Sequence, residues 1–121
     1  MTQPLRIDLP AEQRKLVWQI LRANLPPAAK FWVFGSRATG RARRYSDLDL
    51  AIDAGRRLTL DELAGLSEAF SDSDLPYKVD IVDWQGIADG FRGIIAADRM
   101  SLTEAAQADP GVGAKPGVSP A

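Results

Sequence analysis

Gly35-Ser36, Asp47, Asp49 and Asp80 are the residues of this 121-residue chain whose types and spacing could do chemistry together. Asp47 and Asp49 stand two apart, so in an extended segment both side chains leave the same face. Two ionised carboxylates so placed repel, and each raises the other's pKa unless a cation lies between them. Mg2+ answers that need, because it takes one or two carboxylates together with phosphate oxygens of a substrate. Asp80 lies in a second segment of alternating pattern. If the two segments pair, three carboxylates converge on one patch. Three carboxylates around paired metals can align a nucleophile and a leaving group for phosphoryl or nucleotidyl transfer. Gly35-Ser36 could supply a phosphate cradle, since glycine lets the backbone approach a phosphate closely. If residues 36–39 open a short helix, its free N–H groups and the Ser36 hydroxyl would face the ligand. Singly these features are ordinary: Gly-Ser after a strand is usually a turn, and a lone Asp-x-Asp is usually solvated. Aspartate is depleted in strand interiors, however, and two strands carrying it opposite apolar faces argue for a site.

Composition narrows the chemistry further. The chain has no histidine and no cysteine. That excludes Ser-His-Asp and Cys-His nucleophile pairs, Cys/His zinc sites, disulfides and redox thiols. Proton transfer near neutral pH must fall on a carboxylate, Lys, Tyr or water, and any metal must be a hard cation held by oxygen. The pH profile should then lack an imidazole limb. Fifteen basic and sixteen acidic residues leave a net charge of −1, and 45% hydrophobic content is that of an ordinary globular protein. No stretch approaches the ~20 apolar residues of a membrane span, and the first residues lack a signal-peptide core. Absent cysteine agrees with a cytoplasmic location.

The elements that must position these residues follow from periodicity. A first helix should begin near Pro10, with Leu16, Val17, Ile20, Leu21 and Leu25 as its apolar stripe and Glu12, Arg14, Lys15 and Arg22 off it, and end at Pro26-Pro27. Phe31 to Phe34 is a continuous apolar run ended by Gly35, which predicts a strand buried on both faces. Residues 47–53 alternate, Leu48, Leu50 and Ile52 opposing Asp47, Asp49, Ala51 and Asp53. Thr59-Leu60-Asp61-Glu62 fits a capping box, opening a helix whose apolar face is Leu60, Leu63, Leu66 and Phe70. Tyr77 to Val82 is a further strand. A final helix should run from Asp83, its N-cap, to about Arg99, with Ile87, Phe91, Ile94 and Ile95 as its stripe. The order predicts an α/β (α+β) unit: a small mixed sheet of about three or four strands flanked by helices, spanning residues 1–103. Residues 104–121 hold three of the eight prolines and three of the ten glycines, and read as a flexible tail.

The segment FGSRATGRARRYSDLDLAI, in which ten residues separate Gly35-Ser36 from Asp47-x-Asp49, resembles the minimal nucleotidyltransferases (MNT) of the polymerase-beta-like nucleotidyltransferase superfamily. LPYKVDIVDW is similar to the strand that carries the family's third carboxylate, which places that role on Asp80. The likeness spans Phe31 to Trp84. It implies a nucleotidyltransferase fold and transfer of a nucleoside monophosphate, usually AMP from ATP, with release of pyrophosphate. Small stand-alone members are commonly antitoxins that pair with a HEPN-domain ribonuclease toxin and AMPylate a tyrosine near its active site. On that resemblance Gly35 and Ser36 would hold the β- and γ-phosphates. Asp47, Asp49 and Asp80 would be catalytic and hold Mg2+, as two ions, and Asp80 would also accept or orient the proton of the acceptor hydroxyl. Two other functions fit the same residues. One is an aminoglycoside-type nucleotidyltransferase, though such enzymes usually carry a second domain for the acceptor. The other is an antitoxin acting by binding alone, against which the intact carboxylate trio argues.

The remaining charged residues divide between ligand and solvent. Arg37, Arg41, Arg43 and Arg44 lie within eight residues with no acid among them. Arg37, directly after Ser36, is the expected nucleotide contact. With no aromatic interleaving, direct nucleic-acid binding by this loop is not expected. Lys78 shares a predicted face with Asp80 and could pair with it or with phosphate. Asp53 should be solvated. Trp18 and Trp32 should be core. Gly86, Gly90 and Gly93 each weaken the last helix by about 1 kcal/mol relative to alanine, which close packing against this domain or against a partner would justify.

Overall fold

A computed structural model describes residues 7–102; the expected tail from residue 104 lies outside the described residues. Helix α1 spans Ala11–Asn24, followed by strand β1 (Lys30–Phe34), the one-turn helix α2 (Ser36–Thr39) and strand β2 (Leu48–Asp53). Helix α3 (Leu60–Ser71), strand β3 (Val79–Asp83), a 3-10 turn at Trp84–Gly86, helix α4 (Asp89–Asp98) and the short strand β4 (Met100–Ser101) complete it. The sheet order is β3-β2-β1-β4; β1 runs antiparallel to both β2 and β4, and β2 runs parallel to β3. This is the mixed sheet flanked by helices expected from the sequence, with β4 as the strand that two residues gave too little pattern to find. No helix among the described residues is long and apolar enough to cross a membrane.

Alternation sorts the sheet into two faces. Leu48, Leu50 and Ile52 of β2 and Phe31 and Val33 of β1 join Val17 and Leu21 of α1 and Leu66 and Phe70 of α3 in one core. Each fully buried aliphatic side chain there contributes about 1.5–3 kcal/mol. The capping box forms as expected: Thr59 Oγ1 accepts from Glu62 N–H, and Glu62 Oε1 accepts from Thr59 N–H. The register brings Trp32, Phe34, Asp49, Ala51, Asp53, Asp80 and Val82 to the other face.

Several expectations are corrected. β1 is buried on one face only; Trp32 and Phe34 are half-covered. Trp18 is likewise half-buried, packed against the core edge. Arg14 is not on the solvent side of α1 but 8% exposed, at helical spacing from Val17 and Leu21, with Nη2 donating to the Leu9 carbonyl at 2.9 Å. Leu60, in the first turn of α3, is 84% exposed. The last helix is broken: Asp83 caps the 3-10 turn, accepting from Gln85 N–H, and Ile87 and Ala88 are extended before α4 starts. Asp83 Oδ2 also accepts from Leu58 N–H at 2.9 Å, which ties that turn to the segment leading into α3. Of the expected stripe only Ile95 is buried within α4. A Cβ on Gly90 or Gly93 would meet nothing within 4 Å, so packing within the described chain does not explain those glycines.

Candidate active site

The site is built at the corner where β1 gives way to α2. Gly35 has φ 75° and ψ −152°, a combination open essentially to glycine alone. Its backbone lies flush against Asp49: a Cβ there would collide with Oδ2 and sit 3.3 Å from Cγ. The register explains the contact, because Phe34 pairs with Asp49 and Gly35 is the next residue. Ser36 opens α2, and the N–H of Gly40 closes the turn onto the Ser36 carbonyl.

The parallel pairing of β2 with β3 sets Asp49 directly beside Asp80. The expected juxtaposition of two aspartate-bearing strands is therefore realised. Asp47 stands one residue before β2 and is exposed, while the N–H of Leu48 donates to the Lys78 carbonyl at 2.9 Å, extending the pairing. Lys78 Nζ lies 3.5 Å from Asp80 Oδ1, the pair anticipated from their shared face, with side chains 72% and 42% exposed. An ion pair this exposed contributes at most about 1 kcal/mol.

Burial first, then the negative charges of Asp80 and Asp47, push the Asp49 carboxyl above its ordinary range. Among the described residues no three acidic groups are closed around a single point. The donor set is nevertheless all oxygen, and Asp49 carries like charge on both sides with a carboxylate neighbour across the register. That combination fits a hard divalent cation. It also has a cost in stability. Because its folded pKa is raised, ionised Asp49 weakens the metal-free fold at neutral pH, and the penalty vanishes as pH falls through the folded pKa. Asp49→Asn should therefore melt higher than the unaltered chain at pH 7 without metal, with the gap narrowing in acid. Added Mg2+ should raise the melting temperature of the unaltered chain only. Equal melting curves with and without the substitution would contradict this.

Arg37 is turned to backbone carbonyls. It is 3% exposed. Its Nε donates to the Ser46 carbonyl at 3.0 Å, Nη1 to Asp8 at 2.8 Å, and Nη2 to Arg44 and Ser46 at 3.0 and 2.9 Å. The guanidinium stacks on Tyr77 at 4.1 Å, and the Tyr77 hydroxyl donates to Gln13. The expected nucleotide contact is thus a brace that fixes the loop leading into Asp47. Helical geometry accounts for the difference: one residue after Ser36, the side chain leaves the turn about 100° further round. Arg37→Ala should lower the unfolding free energy by roughly 3 kcal/mol, since several hydrogen bonds from a charged group are lost; an unchanged urea midpoint would refute the brace. Arg41, Arg43 and Arg44 remain exposed in the braced loop.

Other residues of this face escaped sequence reasoning. Asp53 is not simply solvated: its Oδ1 accepts from Gln85 Nε2 at 2.9 Å and from Gly55 N–H at 2.8 Å. Burial raises its pKa, but those two bonds and the Lys30 and Arg92 charges outweigh it and hold the carboxyl low. Trp32 and Trp84 pack at 5.5 Å, and the Arg99 guanidinium lies 4.1 Å and 4.7 Å from their ring centroids. Arg92 Nε donates to the Trp84 carbonyl at 3.0 Å. The runs of single aromatics and arginines in the sequence gave no spacing signal for this assembly, which seats α4 on the sheet.

Comparison with known proteins places the corner in context. The family model "Polymerase beta, Nucleotidyltransferase" matches residues 16–107. The "Probable protein adenylyltransferase MntA" of Haemophilus influenzae is 44% identical over 95 residues, covering 78% of this chain and 82% of that protein. A chain in the crystal structure of a toxin-antitoxin with AMP-PNP superposes with a TM-score of 0.65 at 26% identity, covering 78% of this chain and 75% of its own. A chain in the complex of tri-AMPylated Shewanella oneidensis HEPN toxin with MNT antitoxin shares the fold, with a TM-score of 0.60 at 23% identity and 78% and 72% coverage.

Proposed function

The chain belongs to the polymerase beta nucleotidyltransferase family, and from that premise we propose that it is a protein adenylyltransferase. It moves AMP from ATP to a hydroxyl, that of a tyrosine, on a HEPN-domain toxin, and so acts as an antitoxin. The observation that carries the reading is the single corner in which Asp49 lies against the Gly35 backbone and beside Asp80. A relative of 44% identity named as a protein adenylyltransferase supports the choice of reaction.

Gly35 and Ser36 hold the β- and γ-phosphates, the glycine by allowing close backbone approach and the serine by its hydroxyl and N–H. Asp47, Asp49 and Asp80 would hold Mg2+, as two ions, and the metal would supply positive charge to offset the negative charge of the triphosphate and of the departing pyrophosphate. Asp80, half-exposed beside Lys78, takes or orients the proton of the acceptor hydroxyl. The acceptor oxygen bonds to the α-phosphorus, the bond from that phosphorus to the bridging oxygen breaks, and pyrophosphate leaves with the electron pair. With no histidine in the chain, no imidazole takes part from this side. A cytoplasmic location is the reading that suits a reaction consuming ATP.

The test is label transfer. ATP labelled at the α-phosphate should mark the HEPN-domain protein, and ATP labelled at the γ-phosphate should not. Transfer of γ-label would identify a kinase, and α-label on a small aminohydroxyl compound with no protein present would favour the aminoglycoside-type reaction.

A further inference from the structure

Helix α4 is nearly all surface, and through Phe91 it meets the strand that pairs with Asp49. Ile94 is 66% exposed and Phe91 39% exposed. The Phe91 ring meets the edge of Phe34 with centroids 6.2 Å apart. Phe34 is the register partner of Asp49 and so shares its face of the sheet. An apolar shelf therefore runs from the reaction corner outward along α4. Phe91, Ile94 and Asp98 recur at helical spacing on one side of that helix, and exposed Asp98 edges the shelf with negative charge, whereas Asp89 lies round the helix and pairs with Arg92 at 3.8 Å. Arg92, the one basic residue of α4, is turned toward Trp84. Gly90 adjoins Ile94 with open space where a side chain would be.

We propose that the Phe34–Phe91–Ile94 shelf is the docking surface for the acceptor protein, fitting an apolar ridge edged by Lys or Arg that lies next to the acceptor hydroxyl. The inference rests on the adenylyl-transfer reading and says where the partner sits. An acceptor whose hydroxyl reaches Asp80 lays neighbouring surface near Asp49, and on the β1 side of Asp49 that surface meets Phe34, its register partner, and then Phe91 of α4. Burying an exposed aliphatic and an aromatic side chain supplies affinity, and the acidic edge selects a basic partner.

The experiment measures the affinity of the full chain for a HEPN-domain toxin protein, by calorimetry, together with AMP transfer. Ile94→Asp should weaken the complex about thirtyfold and Asp98→Lys about threefold. In transfer, both should raise the KM for the protein while kcat and AMP-PNP affinity stay within about twofold. Circular dichroism keeps misfolding of the variants apart from a true effect. Unchanged affinity in both folded variants overturns the proposal. So does a self-associated chain that Ile94→Asp disperses with acceptor affinity intact, which assigns the shelf to a second copy. Loss of the Ile94 effect on shortening the chain to residue 102 assigns it to the chain's own last segment. If the unaltered chain binds the acceptor through the shelf but transfers no AMP, the docking surface stands and the adenylyl-transfer reading falls.

Discussion

Asp49→Asn should reduce AMP transfer by about a thousandfold or more, and Asp80→Asn by a similar factor. The estimate follows from charge. The transferring group and its leaving pyrophosphate carry several negative charges, and preorganised electrostatic stabilisation is commonly the largest part of such catalysis, about 3–4 kcal/mol for a single lost group. Four kcal/mol corresponds to roughly a thousandfold in rate. Asparagine keeps the size of the side chain and its fit against Gly35, so the loss cannot be blamed on the fold. Asp47, exposed and one residue outside β2, has more freedom to be replaced by water, and Asp47→Asn should cost less than either. Single-turnover rates with α-labelled ATP read the order directly, and transfer by Asp49→Asn at the unaltered rate would remove the carboxylate pair from the mechanism.

Gly35→Ala should be the most damaging change outside the carboxylates. Two effects add. A side chain at φ 75° and ψ −152° costs about 1–3 kcal/mol of backbone strain. The new methyl would also displace the Asp49 carboxylate, since Oδ2 occupies its position. Moving a reacting group by about 1 Å is worth on the order of a hundredfold in rate, so transfer should fall at least that far while the chain still folds. Gly55→Ala separates the two effects. Gly55 has φ 79° but nothing within 4 Å of a Cβ, so alanine there should lower the melting temperature and leave transfer unchanged. Equal transfer by the two variants would show that the contact between Gly35 and Asp49 has no catalytic weight.

What could be read from the sequence was local. The alternation of Leu48, Leu50 and Ile52 fixes the face on which Asp49 lies, whereas the short helix after Gly35 is legible only as a condition, since Gly-Ser after a strand is usually a turn. Thr59 and Glu62 formed the capping box that their spacing required. The juxtaposition of Asp49 with Asp80 was legible only as a condition, because a one-residue slip of β3 against β2 would have sent Asp80 to the core face. The bracing role of Arg37 is hidden from the sequence because its partners are carbonyls at residues 8, 44 and 46, and backbone acceptors leave no trace in residue type. The last helix was overextended because Ile87, Phe91, Ile94 and Ile95 have helical spacing whether or not the chain breaks between them. Of the three glycines only Gly86, ending the 3-10 turn, adjoins the break; Gly90 and Gly93 stand inside α4. The exposure of Phe91 and Ile94 was equally hidden, since an apolar stripe predicts burial without saying against which molecule.

The most direct test of the carboxylate corner as an adenylyl-transfer site is the intact mass of the HEPN-domain protein after incubation with ATP, Mg2+ and this chain. The expected result is a gain of whole AMP units with the unaltered chain, localised to a tyrosine, and no gain with Asp49→Asn or Asp80→Asn. A partner whose mass is unchanged by the unaltered chain while its toxicity is relieved would contradict it, and so would equal AMP gain with both carboxylates replaced.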